Sequence, residues 1–212
     1  MADNKTSEFL SSVADYYSTK LAEHGQTPQG ADWNGEEGQT VRFEQLAKVI
    51  EPRGPYSVND LGCGYGALYD YLKERLGAFS YAGYDISEAM ISAARSRHKQ
   101  DKGARYRVAS EPLQSADYGV ASGIFNVRLE RSDSEWREHL ESTLDVLDRT
   151  SIRGFAFNCL TSYSDPEKMR DYLYYADPCY LFDLCKRRYS RHVALLHDYG
   201  LYEYTMIVRK QR

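Results

Sequence analysis

Residues 58–66, Val58-Asn59-Asp60-Leu61-Gly62-Cys63-Gly64-Tyr65-Gly66, carry side-chain types at spacings suited to ligand chemistry. Three glycines alternate over five positions, directly after a short apolar stretch that contains an acid. Glycine has no Cβ, so such a turn is tight and lets a ligand approach the backbone. A helix opening at Ala67 would aim its free amide ends at the same place. Residues 81–87 predict a second strand holding Asp85, about twenty residues on, where an acid can accept hydrogen bonds from both hydroxyls of a ribose. Strand, glycine turn, helix, strand and acid together predict the start of a nucleoside-binding α/β domain.

The detail of the turn narrows the nucleoside. The dinucleotide fingerprint is G-x-G-x-x-G. This chain has G-x-G-x-G, one residue shorter, with Asp60 two positions before the first glycine. The pattern resembles motif I of the class I S-adenosylmethionine-dependent methyltransferases, with Asp85 at the ribose-binding acid of motif II. The resemblance covers residues 55–130. It implies S-adenosyl-L-methionine as cofactor and S-adenosyl-L-homocysteine as product. It implies cofactor contacts at Asp60, Gly62, Cys63, Gly64, Asp85 and Ile86. After the third strand the family carries an acid on the adenine amino group, and that place falls at Ser110 or Glu111. The exit of the fourth strand, with Ser122 and Gly123, corresponds to motif IV, between cofactor and acceptor. The D/N-P-P-Y sequence of adenine and glutamine N-methylating enzymes is missing there, which leaves the acceptor open.

Composition bounds the class. A chain of 212 residues suits one domain with a continuous core. The hydrophobic fraction is 42%, and no apolar run approaches the ~18 residues of a membrane span. The amino terminus does not read as a signal peptide, so the expected location is cytoplasmic. A net charge of −4 supplies no overall attraction to nucleic acid or an anionic membrane. Cys63, Cys159, Cys179 and Cys185 lack metal-ligand or disulfide spacing, and no metal is expected. The 19 tyrosines suit an aromatic, partly polar cavity as well as an ordinary core.

The elements that must position these residues follow in order. Residues 7–24 predict an amphipathic helix with Leu10, Val13, Tyr17 and Leu21 on one face, stopped by Gly25. A loop over 25–38 carries Trp33, a lid or a core plug. A second helix spans 38–50 and ends at Pro52, Gly54 and Pro55. Residues 1–54 are expected to cap the core formed by 55–212. Gln39 and Arg42 share a helix face and suit a clamp on the cofactor's carboxylate, or a solvated face. Strands are expected over 81–87, 104–110, 118–127 and 154–160, with a helix over 134–149 capped by Ser132 or Asp133. An aromatic insert over 161–190, helical from Asp165-Pro166-Glu167, would wall the acceptor pocket. The basic run Lys186-Arg187-Arg188 with Arg191 suits a solvated helix end or an anion dock. Residues 193–197 and 201–208 predict two antiparallel strands. The expected fold is a doubly wound, mostly parallel seven-stranded sheet with a final antiparallel hairpin strand, an N-terminal helical cap and a helical insert after the fifth strand.

The expected reaction moves a methyl group to an O or N atom of a small-molecule acceptor, anionic or aromatic, by in-line displacement. A hydroxyl or ammonium acceptor must lose a proton, and the candidate bases are His24, Tyr16 and Tyr17, with His197 weighed as a sheet residue. The alternatives are an RNA or protein methyltransferase, a non-catalytic S-adenosylmethionine-binding regulatory protein, and a nicotinamide oxidoreductase, which the short glycine spacing disfavours.

Overall fold

The computed structural model describes residues 2–51 and 55–210, with side chains from Phe9 onward; Pro52 and Gly54 lie outside the described residues. Seven strands form one sheet: β1 (Ser57–Leu61), β2 (Ser80–Asp85), β3 (Ala104–Val108), β4 (Ala116–Ala121), β5 (Ser151–Leu160), β6 (His192–Leu196) and β7 (Glu203–Arg209), in the spatial order β3-β2-β1-β4-β5-β7-β6. β1 pairs in parallel with both β2 and β4. β7 is antiparallel to β5 and to β6, so it alone runs against the others and sits inside the sheet, with β6 at the edge. Strand order reverses at β1 and β4. In an open α/β sheet this reversal opens a crevice beyond the carboxyl ends of the strands.

Alternation along the strands divides the core between two faces. Val58, Val120, Ala156 and Ile207 pack against Leu46, Leu68, Leu72 and Ile91, which belong to α2 (Glu36–Ala47), α3 (Ala67–Leu76) and α4 (Glu88–Arg97). Leu61, Ala121, Phe155, Phe157 and Met206 pack against Leu140, Leu144 and Leu181 of α5 (Asp133–Thr150) and α6 (Pro178–Arg188). Ser132 caps α5 in a capping box with Glu135, which settles the choice between Ser132 and Asp133. The first helix, α1 (Ala2–His24), lies across the carboxyl edge and brings Phe9 and Val13 onto Trp136 of α5.

Several expected bounds shift. The fourth strand ends at Ala121, because Gly123 takes a positive φ of 76° and Asn126 belongs to the turn after it. The second helix opens at Glu36 and closes at Ala47. The helix expected from Asp165-Pro166-Glu167 is only a 3-10 turn, Pro166–Lys168, followed by irregular chain with a turn at Asp171-Tyr172 and single bridges at Leu173 and Ala176, until Asp177 caps α6 through Cys179 and Tyr180. The basic run at the end of α6 is tied to acids: Arg187 to Asp183, and Arg188 to Glu141 and Asp145. Lys186 instead donates to the Arg191 carbonyl, so two of the four basic residues are neutralised within the fold. Cys63, Cys159 and Cys185 are buried thiols and Cys179 is exposed.

Candidate functional site

A cavity opens at the strand-order reversal, with about 1100 Å³ of empty space, its mouth to solvent included. Its floor is the glycine turn. Gly62 and Gly64 hold positive φ values of 78° and 54°, and the Gly62 and Cys63 amides both donate to the Tyr84 carbonyl. A Cβ on Gly62 would lie 2.0 Å from Ile124, so the turn and the β4 exit pack backbone to side chain. Asp85 ends β2 beside this turn. Its carboxylate accepts from the Gly64 amide at 2.9 Å and from the Ser87 amide at 2.9 Å, and burial pushes its pKa up.

Asp60 is a buried acid with only one of its carboxylate oxygens satisfied. Its Oδ2 accepts from the Tyr81 hydroxyl. Its Oδ1 is buried in the cavity lining with no hydrogen-bond partner among the described residues. Burial lifts its pKa to about 7, against the lowering effect of Tyr81 and with a further push from the Asp85 charge. An unpartnered buried carboxylate oxygen costs free energy until a donor or cation reaches it. Ser122 Oγ lines the same cavity in the same unpartnered state.

Of the residues singled out from sequence, Gln39, Asp60, Gly62, Cys63, Gly64, Asp85, Ile86, Ser110, Ser122, Gly123 and Tyr17 line this cavity. Gln39 hydrogen-bonds the Tyr65 hydroxyl at 3.2 Å. Four others stand elsewhere. Arg42 is buried and turned away, held by Glu203 through Nε–Oε2 and Nη2–Oε1 contacts of 2.8 Å each. Its guanidinium lies 4.2 Å from the centre of the Trp33 ring. Glu111 is exposed and paired with Arg149, so of the two adenine candidates only Ser110 faces the cavity. His24 is exposed in the last turn of α1, 3.8 Å from Glu23. Tyr16 donates to Asp32 at 2.7 Å.

The Tyr17 phenol is pushed far up by burial and by the Asp32, Asp85 and Glu203 charges, so it stays protonated and can donate a hydrogen bond. Trp33 lines the cavity and also covers Gly123, where a Cβ would meet its ring at 2.5 Å; it is both cover and plug. His197 stands off the cavity, 5.8 Å from the Tyr204 ring.

Sequence reasoning overlooked the far wall. Phe9 from α1 and Trp136, His139 and Thr143 from α5 close it. The i, i+3, i+7 spacing of the α5 residues was legible as one helix face, but it adjoins the leucine stripe and is absorbed into it.

A family model described as "Methyltransferase domain" matches residues 58–149. The chain is 60% identical over 163 residues to a Mycobacterium tuberculosis protein named "Putative methyltransferase Rv1506c", covering 77% of this chain and 98% of that one. Among solved structures, the DhpI–SAH complex superposes with a TM-score of 0.64 at 17% identity, over 96% of this chain and 98% of that one. Human N-acetylserotonin methyltransferase in complex with SAM gives 0.60 at 14% identity, over 83% of this chain and 55% of that one. The shared fold, the glycine turn and the relative at 60% identity lead to one conclusion: the chain belongs to the class I S-adenosylmethionine-dependent methyltransferase family.

Proposed function

We propose that this protein transfers a methyl group from S-adenosylmethionine to an oxygen or nitrogen of a small-molecule acceptor. The observation that carries the cofactor assignment is the unpartnered Asp60 Oδ1 beside the Gly62–Gly64 turn. That oxygen fits the ammonium of an amino-acid tail, and the turn leaves the room a Cβ would remove. Asp85 would accept from the ribose hydroxyls, and Gln39 would meet the tail's carboxylate in place of Arg42. Solved complexes with SAM or SAH share the fold, which supports the same reading. When bound, the cofactor supplies a methyl group on sulfonium, already activated for in-line displacement.

The protein's own task is then to position and to exclude water. Ser122 and Gly123 would line the path between cofactor and acceptor. Trp33 and the segment 1–54, as a cap, would close the cavity. Tyr17, held protonated, would hydrogen-bond a polar group of the acceptor other than the attacking atom. With its phenol held protonated, and with His24 and Tyr16 outside the lining, none of these three is retained as the base. An acceptor that enters already deprotonated, as an ionised hydroxyl or a neutral amine, needs no base from the protein.

The small-acceptor reading is supported by the cover of aromatic and apolar side chains over the cavity. Human N-acetylserotonin methyltransferase, by its name, acts on a small molecule. No helix among the described residues is long and apolar enough to cross a membrane. The test is release of S-adenosylhomocysteine on incubation with S-adenosylmethionine and pooled aromatic and anionic metabolites, beside total RNA and a peptide pool. Turnover with a metabolite pool is expected. Methylation confined to RNA or peptide would replace this reading, and binding without any turnover would favour a regulatory protein.

A further inference from the structure

A nucleoside laid on this cavity has a direction. Its ribose belongs at Asp85, and its amino-acid tail runs from there over the glycine turn toward Asp60 and Gln39. The base must therefore extend the other way, past Ile86 to the chain leaving β3 at Ala109 and Ser110. In this chain that exit holds no acid facing the ligand, since Glu111 is turned out to Arg149 near the end of α5. The same ion pair pins the post-β3 chain along α5, whose inner face carries His139 and Thr143 into the cavity.

His139 has the chemistry the exit lacks. It packs against Phe9 at 5.5 Å and Trp136 at 5.1 Å between ring centroids, and that cluster abuts Ile86. Neither ring nitrogen has a hydrogen-bond partner among the described residues, although the ring lines the cavity. Burial, with the Arg131 charge, holds its pKa down at about 4, so the imidazole is neutral and one nitrogen is a free acceptor. The Thr143 hydroxyl donates back to the His139 carbonyl at 2.8 Å, which leaves its lone pairs to the cavity side.

We propose that His139 is the adenine-reading residue of this site, accepting a hydrogen bond from the exocyclic amine of the base through its unprotonated ring nitrogen. The assignment rests on the S-adenosylmethionine reading above and adds to it the residue that selects the base. It also gives the imidazole an occupation other than proton removal from an acceptor.

A ligand-and-protein double cycle tests it. S-adenosylhomocysteine and its analogue lacking the exocyclic amine (a purine base in place of adenine) are titrated into the wild-type protein and into His139→Leu and His139→Gln, with circular dichroism to verify folding. In the wild type, removing the amine is expected to weaken binding about 5- to 10-fold, the worth of one hydrogen bond. In His139→Leu the two ligands should bind within about twofold of each other. His139→Gln, whose amide oxygen also accepts, should restore part of the preference. An undiminished preference in folded His139→Leu would overturn the proposal, and so would equal weakening of both ligands, which marks a packing role. Failure of the wild type to bind either ligand would instead remove the cofactor reading itself.

Discussion

At the residue scale, the account turns on two buried acids. Asp60 holds its carboxyl at about 7 because burial outweighs the Tyr81 hydrogen bond. A carboxyl raised in the fold binds its proton more tightly there than in the unfolded chain, so its contribution to stability is present at low pH and is lost as pH rises through about 7. Ligand binding has the opposite sign. An ammonium needs the ionised form, so affinity for S-adenosylhomocysteine should fall as pH drops below 7, by up to about tenfold per unit. Calorimetric titration between about pH 5 and 7 checks this. Asp60→Asn should flatten the slope, and an unchanged slope would take the ammonium away from Asp60. Asp85, also pushed up by burial, would account for any remaining slope. Asp85→Ala should weaken the same ligand by about 1–3 kcal/mol, the cost of losing charge-assisted hydrogen bonds, and unchanged affinity in a folded variant would refute the ribose contact.

At the scale of elements, one buried network ties β7 to the rim of the cavity. Glu203 at the start of β7 holds Arg42 of α2 and accepts from Asn158 of β5 at 3.0 Å. Asn158 in turn accepts from the Gly123 amide at 2.7 Å, while Arg42 carries the Trp33 ring. Removing one partner of a buried ion pair costs about 3–5 kcal/mol. Arg42→Ala should therefore lower stability to urea by that amount, whereas a loss of cofactor affinity at full stability would restore the carboxylate clamp expected from sequence. Gly123→Ala would place a Cβ 2.5 Å from Trp33 at a φ of 76°. Its expected effect is slower turnover with cofactor affinity nearly kept, and a cofactor defect alone would mean that Trp33 covers the tail and not the acceptor path. This network explains why Arg42 stands outside the cavity lining. Gln39 and Arg42 share a helix face, but a partner 161 residues away decides where the guanidinium goes.

At the scale of the whole molecule, what was legible in the sequence was local. The glycine turn, Asp85 and the alternation of Phe155 and Phe157 with Ala156 specify strands, turn and faces from neighbours in the chain. The β6–β7 pair was legible from its connecting turn, but its insertion next to β5 was not, because pairing beyond a hairpin depends on register against distant strands. The far wall was hidden for a related reason. Phe9 and His139 acquire a role only when α1 folds across the sheet edge onto α5. The failed helix at Pro166 shows the limit of capping and spacing signals: Met169, Tyr172 and Leu173 have helical spacing, but no residue from 166 to 175 is fully buried, and without packing a short helix is not stabilised.

The central claim is that the cavity at the strand reversal binds a sulfur nucleoside. It is tested most directly by calorimetric titration of the full chain with S-adenosylmethionine and S-adenosylhomocysteine, with NAD as control. The account predicts saturable one-to-one binding of the first two in the micromolar range, abolished by Gly64→Val, and no heat from NAD. Silence from both sulfur nucleosides in a folded protein would contradict it.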